Sequence, residues 1–218
     1  MDAADLPPAD YAQVLAGLAR VNVATLAMRP TLNFLARAGA VRAPFRLLDV
    51  GYGDGGMLRA IWRWAQKHGV ACTLTGIDLN PKSEAVAKAR HPAGAAIIYR
   101  TGDYRALSDE PWDFIVSSLV THHMDDGERR DFLLFQERYA RRGWFVNDLH
   151  RHAFAYHGFP LLARMLCVHR IVRQDGQLSI ARSFRPPEWR AMLDNTGLAE
   201  VAQVRRIFPF RLCVERRR

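Results

Sequence analysis

From residue 45 onward, continuous apolar runs alternate with stretches whose apolar positions recur every three or four residues. The runs at 45–50, 72–78, 95–99, 112–118 and 143–148 predict strands, and the periodic stretches at 56–68, 82–90 and 126–141 predict helices. The stretch 126–141 follows Asp125 and closes on Arg141-Arg142-Gly143, acidic at its start and basic at its end, which suits the helix dipole. Strands that read as unbroken apolar runs and alternate with helices predict a mostly parallel sheet covered on both faces. Ala153 to His169 predicts an apolar helical insertion, and Pro186-Pro187 opens a helix to Leu193 that stops at Asp194-Asn195-Thr196-Gly197. Residues 198–207 and 209–215 predict two last strands turning at Pro209. Ahead of the first strand, residues 9–39 have helical spacing (Tyr11, Val14, Leu15, Leu18, Val21, Val23, Leu26), broken at Pro30 and resumed over Leu32 to Ala38.

Composition narrows this to one soluble domain over 1–218, with 1–43 as an N-terminal helical segment and 151–180 as an insertion. The length of 218 residues permits a full α/β core, and 49% hydrophobic and 24% charged residues are ordinary for a globular chain. No apolar run approaches the roughly 20 residues of a membrane span. Met1 to Pro8 lacks the basic flank and apolar segment of a signal peptide, so the expected location is cytoplasmic. Cys72, Cys167 and Cys213 are odd in number, widely separated and set among apolar neighbours, which predicts reduced core residues. The net charge is +9, and only Lys67, Lys82 and Lys88 of the 31 basic residues are lysines. The arginines are dispersed rather than gathered on one arm, so a solvated surface is expected over a specific nucleic-acid partner.

Candidate chemistry begins where the first strand ends in a glycine turn. Gly51, Gly53 and Gly56 fit G-x-G-x-x-G, a weak pattern by itself. Asp49, one residue before the turn, would repel a pyrophosphate and suits a ligand carrying positive charge. Asp78 closes the second strand one crossover later, where a ribose diol is held. Gly102-Asp103 follows the third strand and places a carboxylate within reach of an adenine amino group.

With Asp49-x-Gly51-x-Gly53-x-Gly55, Asp78, Gly102-Asp103 and the block Asp113 to Met124 in this order, residues 40–218 resemble the class I SAM-dependent methyltransferases, in their small-molecule branch. The resemblance implies a Rossmann-like, seven-stranded, mostly parallel sheet with a C-terminal antiparallel hairpin, helices on both faces and an N-terminal helical extension. It implies S-adenosylmethionine (SAM) as cofactor, held by Asp49, Gly51, Tyr52, Gly53, Asp78, Leu79, Gly102, Asp103, Tyr104, Ser117 and Ser118. In such proteins N-terminal helices lie over the cofactor mouth. The alternative for residues 1–43 is a helix packed on the sheet edge. A nicotinamide-dependent enzyme is disfavoured by Asp49, by Gly102-Asp103 and by the final hairpin.

Methyl transfer is an in-line displacement that asks for positioning and, where the acceptor is a phenol, for a base. Ligands bind beyond the C-terminal ends of the strands in such sheets. His122-His123 follow strand four, and His150 and His152 follow strand five with His157 a little later; His150 and His123 lead as candidate bases, with Asp148 as a carboxylate able to orient one. His68 and His91 fall at helix ends outside this face. Phe154, Tyr156, Phe159, Leu161, Leu162, Met165 and Leu166 predict an apolar, partly aromatic wall for a flat hydrophobic acceptor. Ser117-Ser118-Leu119 stands where amino-methylating enzymes carry Asn-Pro-Pro-aromatic, and none of the three cysteines is expected near strands four or five as a nucleophile. The order Asn147-Asp148 and the serines ending strand four speak against a metal. The expected activity is O-methylation of a phenolic or polyketide-type hydroxyl. C-methylation, a non-catalytic SAM-fold partner protein and RNA modification are the alternatives.

Overall fold

The computed structural model describes residues 7–218; residues 1–6 of the N-terminal segment lie outside the described residues. Seven strands form one sheet: β1 (Phe45–Val50), β2 (Cys72–Asp78), β3 (Ile97–Thr101), β4 (Trp112–Ser118), β5 (Ala140–Leu149), β6 (Gln203–Ile207) and β7 (Arg211–Arg217). Their order is β3-β2-β1-β4-β5-β7-β6. The first five are parallel, and β7 runs antiparallel between β5 and β6. The chain reverses its direction of winding between β1 and β4, so a crevice opens beyond those two strand ends.

Strand alternation divides the core in two. On one face Phe45, Leu47, Phe114, Val116 and Phe145 pack against helices α2 (Arg29–Arg37) and α3 (Gly56–Lys67). On the other, Leu48, Val50, Trp144, Val146, Leu212 and Val214 pack against α5 (Asp126–Tyr139) and α8 (Pro186–Asn195). A register shift between Trp112 and Phe114 sends these two rings to opposite faces, although two residues of a regular strand spaced this way share one. Burial of each large side chain contributes roughly 1.5–3 kcal/mol relative to exposure.

Several expected boundaries move. The N-terminal break falls at Thr25–Met28, between α1 (Pro8–Ala24) and α2, while Pro30 sits inside the first turn of α2, where its missing N–H costs nothing. β3 starts at Ile97 because Ala95 closes a turn onto Pro92. β5 is longer than expected at both ends. Residues 198–202 coil into a turn, with Ala202 N–H donating to Leu198 O, so β6 starts at Gln203. The insertion is two helices, α6 (Ala153–Met165) and α7 (Arg170–Arg182), parted by Cys167 in a left-handed conformation (φ 48°) and by His169 capping α7. Cys167 is exposed and Cys72 half-buried, so only Cys213 is the core residue expected of all three.

α1 crosses the molecule rather than a sheet edge. Tyr11 and Leu15 meet Val86 of α4 (Pro81–Lys88), and Val14 and Val21 meet Ala163, Val168 and Val172 of the insertion. No helix among the described residues is long and apolar enough to cross a membrane.

Candidate active site

A cavity of about 1210 Å³ opens at the C-terminal edge of the parallel strands, walled by α1, the α1–α2 turn, the β6–β7 hairpin and the insertion. Small-molecule pockets run to about 300–1,000 Å³, so this one has room for two ligands side by side.

The β1 end of the cavity is acidic and backbone-rich. Gly51 holds φ at 75°, and a Cβ there would lie 2.4 Å from Val120 Cγ2, so the turn requires glycine. Asp49 is buried, and among the described residues neither of its carboxylate oxygens receives a hydrogen bond. Burial, with the charge of Asp78 added, pushes its carboxyl up to about 8. A buried carboxylate that none of the described residues satisfies suits a ligand cation, and SAM brings an α-ammonium and a sulfonium. Asp78 accepts from Gly53 N at 2.9 Å and Asn80 N at 2.9 Å, which uses part of its acceptor capacity and leaves lone pairs for a diol. Tyr52 lies tilted against Tyr99 (ring centroids 5.3 Å) and over Gly76, where a Cβ would lie 2.5 Å from the Tyr52 ring.

Leu79, Gly102, Asp103, Tyr104 and Ser118 also line the cavity. Two expectations are qualified. Asp103 caps a short 3₁₀ turn (Tyr104–Leu107) and accepts from Arg105 N and Arg105 Nη1, so its carboxylate is already engaged. Ser117 is buried between Val50 and Val146 and is not part of the cavity wall, because alternation turns it away where Ser118 faces the opening.

Of the histidines, the structure singles out one that was not a leading candidate. After β4 the chain turns through Leu119 at φ 63°, an uncommon conformation for leucine, and a short 3₁₀ turn (Thr121–His123) swings His122 over the end of β5. His122 Nδ1 lies 2.7 Å from Asp148 Oδ1, and Asp148 also accepts from Thr121 Oγ1 (2.5 Å), His122 N (3.0 Å) and Leu149 N (2.7 Å). Burial alone would raise the Asp148 carboxyl; His122 and these hydrogen bonds outweigh it and bring it down to about 2. Nδ1 of His122 faces the ionised Asp148, so in the neutral imidazole with its proton there Nε2 is the free ring nitrogen, on a residue that lines the cavity.

Asp148 therefore orients His122 and not His150. His150 lines the cavity, with its imidazole lowered below the usual range by burial and by His152, Arg206 and Arg185. His123 faces the open cleft, where water reaches it, yet protein surrounds it closely enough that burial and His122 lower it to about 4. His152 caps α6 and packs between Phe154 and Phe210, and His157 is exposed on α6. His68 and His91 are exposed. Of the expected apolar wall, Phe154, Phe159 and Leu162 line the cavity. Cys213, contrary to expectation, lies beside strand five, opposite Asn147. Burial pushes its thiol up to about 12, so it is no nucleophile at neutral pH.

The family described as "Methyltransferase domain" matches residues 47–143. No curated protein matches the chain. Among solved structures, human N-acetylserotonin methyltransferase in complex with SAM is similar at 15% identity and a TM-score of 0.64, covering 100% of this chain and 60% of that one. Magnesium protoporphyrin IX methyltransferase from Synechocystis PCC 6803 with bound SAH, the demethylated cofactor, is similar at 15% identity and 0.57, covering 94% and 85%. A SAM-dependent methyltransferase from Aquifex aeolicus gives 16% and 0.54, covering 79% and 81%. At these identities the likeness is one of fold. The match over the glycine turn and first four strands, the sheet order with its closing hairpin and the acid left unpartnered among the described residues agree: residues 47–143 match the methyltransferase domain family, and the chain has the fold of the SAM-dependent methyltransferases named above.

Proposed function

We propose that this chain is a class I SAM-dependent methyltransferase and that it methylates a hydroxyl of a small, largely hydrophobic acceptor of phenolic or polyketide type, with His122 as the base and Asp148 as the residue that positions it. The observation that carries the reading is the 2.7 Å contact of His122 Nδ1 with a buried Asp148 at the cavity wall. Bound SAM supplies a methyl group on an activated sulfonium. The chain's residues do the rest. Asp49 is suited to the ammonium, Asp78 to the ribose diol, and the N-terminal helix α1, with Tyr11 and Leu15 on the cavity, serves as a lid. His122 Nε2 takes the proton of the acceptor hydroxyl, and Asp148 stabilises the imidazolium that results. Phe154, Phe159 and Leu162 hold an apolar ring and keep water away. The neighbouring folds act on chemically diverse partners by their names, among them a porphyrin and N-acetylserotonin, so the acceptor is read from the cavity instead.

The test compares His122→Ala, Asp148→Asn, His123→Ala and His150→Ala on a phenolic acceptor panel. Loss of a general base typically costs about 10² to 10⁴ in rate. We expect that loss in kcat for His122→Ala with SAH affinity intact, partly rescued at alkaline pH as the acceptor ionises unaided. His123→Ala and His150→Ala should keep most of their kcat. Wild-type kcat in His122→Ala would remove the base, and a ring C-methyl product would favour the carbon acceptor.

A further inference from the structure

One buried charge has no counterpart in the chemistry above. Arg211, the first residue of β7, is 2% exposed and lines the cavity. Among the described residues its guanidinium makes one hydrogen bond, Nη2 to Thr25 Oγ1 at 3.2 Å, and its Nη1 has no partner. The carboxylate that acts on it electrostatically, Asp148, is already engaged by Thr121, His122 and Leu149. The buried acid of β7 itself, Glu215, is paired with Arg37 and Arg205. Burying a guanidinium without a partner is expensive, and a fold keeps such a group where a ligand completes it.

Position says which ligand. β7 lies three strands from β1, about 14 Å across the sheet at the usual strand spacing of about 4.8 Å, so Arg211 faces the end of the cavity away from Asp49. Around it are the α1–α2 turn, His150 and the exposed aromatic rings of Phe154, Phe208 and Phe210. Two non-glycine residues in the left-handed region flank its contacts: Phe210 (φ 48°) precedes Arg211, and Leu26 (φ 51°) follows Thr25. Strain of this kind concentrates at ligand clamps.

We propose that Arg211 anchors a carboxylate on the acceptor, so that the substrate is an apolar or aromatic acid whose charged end sits under the α1–α2 turn and whose hydroxyl faces His122. This rests on the acceptor reading above. A carboxylate fits better than a phosphate, since one guanidinium in an apolar surround matches one negative charge. Its planar fork also suits the two oxygens of a carboxylate.

The experiment measures binding, not turnover, to the SAH-loaded protein by calorimetry, with 3-hydroxy-2-naphthoate and its methyl ester as probes. Wild type should bind the acid at least about tenfold more tightly than the ester. Arg211→Met should abolish that preference with SAH affinity unchanged, and Arg211→Lys should keep part of it. Equal binding of acid and ester by wild type, or no binding of the acid, overturns the proposal whether or not the variants fold. So does a preference that survives in Arg211→Met. Loss of SAH affinity in a folded Arg211→Met would assign the guanidinium to the cofactor's own carboxylate and overturn it as well. Failure of wild type to bind SAH at all would instead strike the methyltransferase reading.

Discussion

At the scale of single residues, two buried carboxylates show opposite behaviour for one reason, the presence or absence of partners. Asp148 has four hydrogen bonds and is held low; Asp49 has none and is pushed up to about 8. A carboxyl raised on folding binds its proton more tightly in the folded state than in the unfolded one. Its contribution to stability is therefore lost as pH rises from the ordinary 3.8 toward about 8. The ligand-free protein should become less stable between pH 6 and 8.5 in urea titrations, with a smaller slope in Asp49→Asn. The same substitution should weaken SAM binding while improving stability at the alkaline end. A wild-type slope in Asp49→Asn would assign the pH dependence to other groups.

At the scale of elements, the cavity depends on pieces distant in sequence being tied to the sheet. Asn147, buried in β5, donates from Nδ2 to Ala27 O at 2.8 Å and stands 3.4 Å from Thr31 Oγ1, so the α1–α2 turn is fastened to the strand that carries Asp148. Asn147→Ala leaves the buried Ala27 carbonyl without that donor, a cost of about 1–3 kcal/mol. For a chain of this size the melting temperature should fall by roughly 2–4 °C per kcal/mol. Because the turn borders the Arg211 end of the cavity, acceptor affinity should drop in parallel. A variant that melts like wild type would show that the tie is not a structural one. The break between α6 and α7 works similarly: it folds the insertion back on itself, so that α6 contributes Phe154 and Leu162 to the cavity and α7 contributes Ser179 and Ile180.

For the whole molecule, a ligand that binds only the folded state stabilises it by mass action. SAH at a hundredfold its Kd should add about 2.7 kcal/mol. At roughly 2–4 °C per kcal/mol, thermal unfolding should shift upward by several degrees, and NAD should produce no shift. A shift with NAD and none with SAH would contradict the cofactor assignment. The net charge of +9 is dispersed over many arginines, several of them paired with acids, as in Arg46 and Arg100 with Glu110 or Arg216 and Arg218 with Glu137. Short RNA should accordingly bind weakly, without sequence preference, and lose affinity steeply as salt rises. Sequence-selective binding at physiological salt would revive the RNA reading.

The sequence by itself determined the sheet, the glycine turn and the acids at its rim. Buried parallel strands must be continuous apolar runs, the turn at Gly51 has no room for a Cβ, and Asp49 and Asp78 lie at the ends of their own strands, so each of these is a local matter. Boundaries set by competing local turns, such as those at Thr25–Met28, Ala95 and residues 198–202, were less legible, since helical or strand spacing continues through them. What only the tertiary structure decided was which histidine meets which acid and, among the described residues, which buried arginine has none. Asp148 is two residues from His150, but the 3₁₀ turn after β4 brings His122, 26 residues away, onto its carboxylate. Arg211 resembles the other arginines of a basic C-terminal segment until pairing with β5 draws it beneath Thr25. Partnership between charges depends on direction and burial, and neither can be read from distance along the chain.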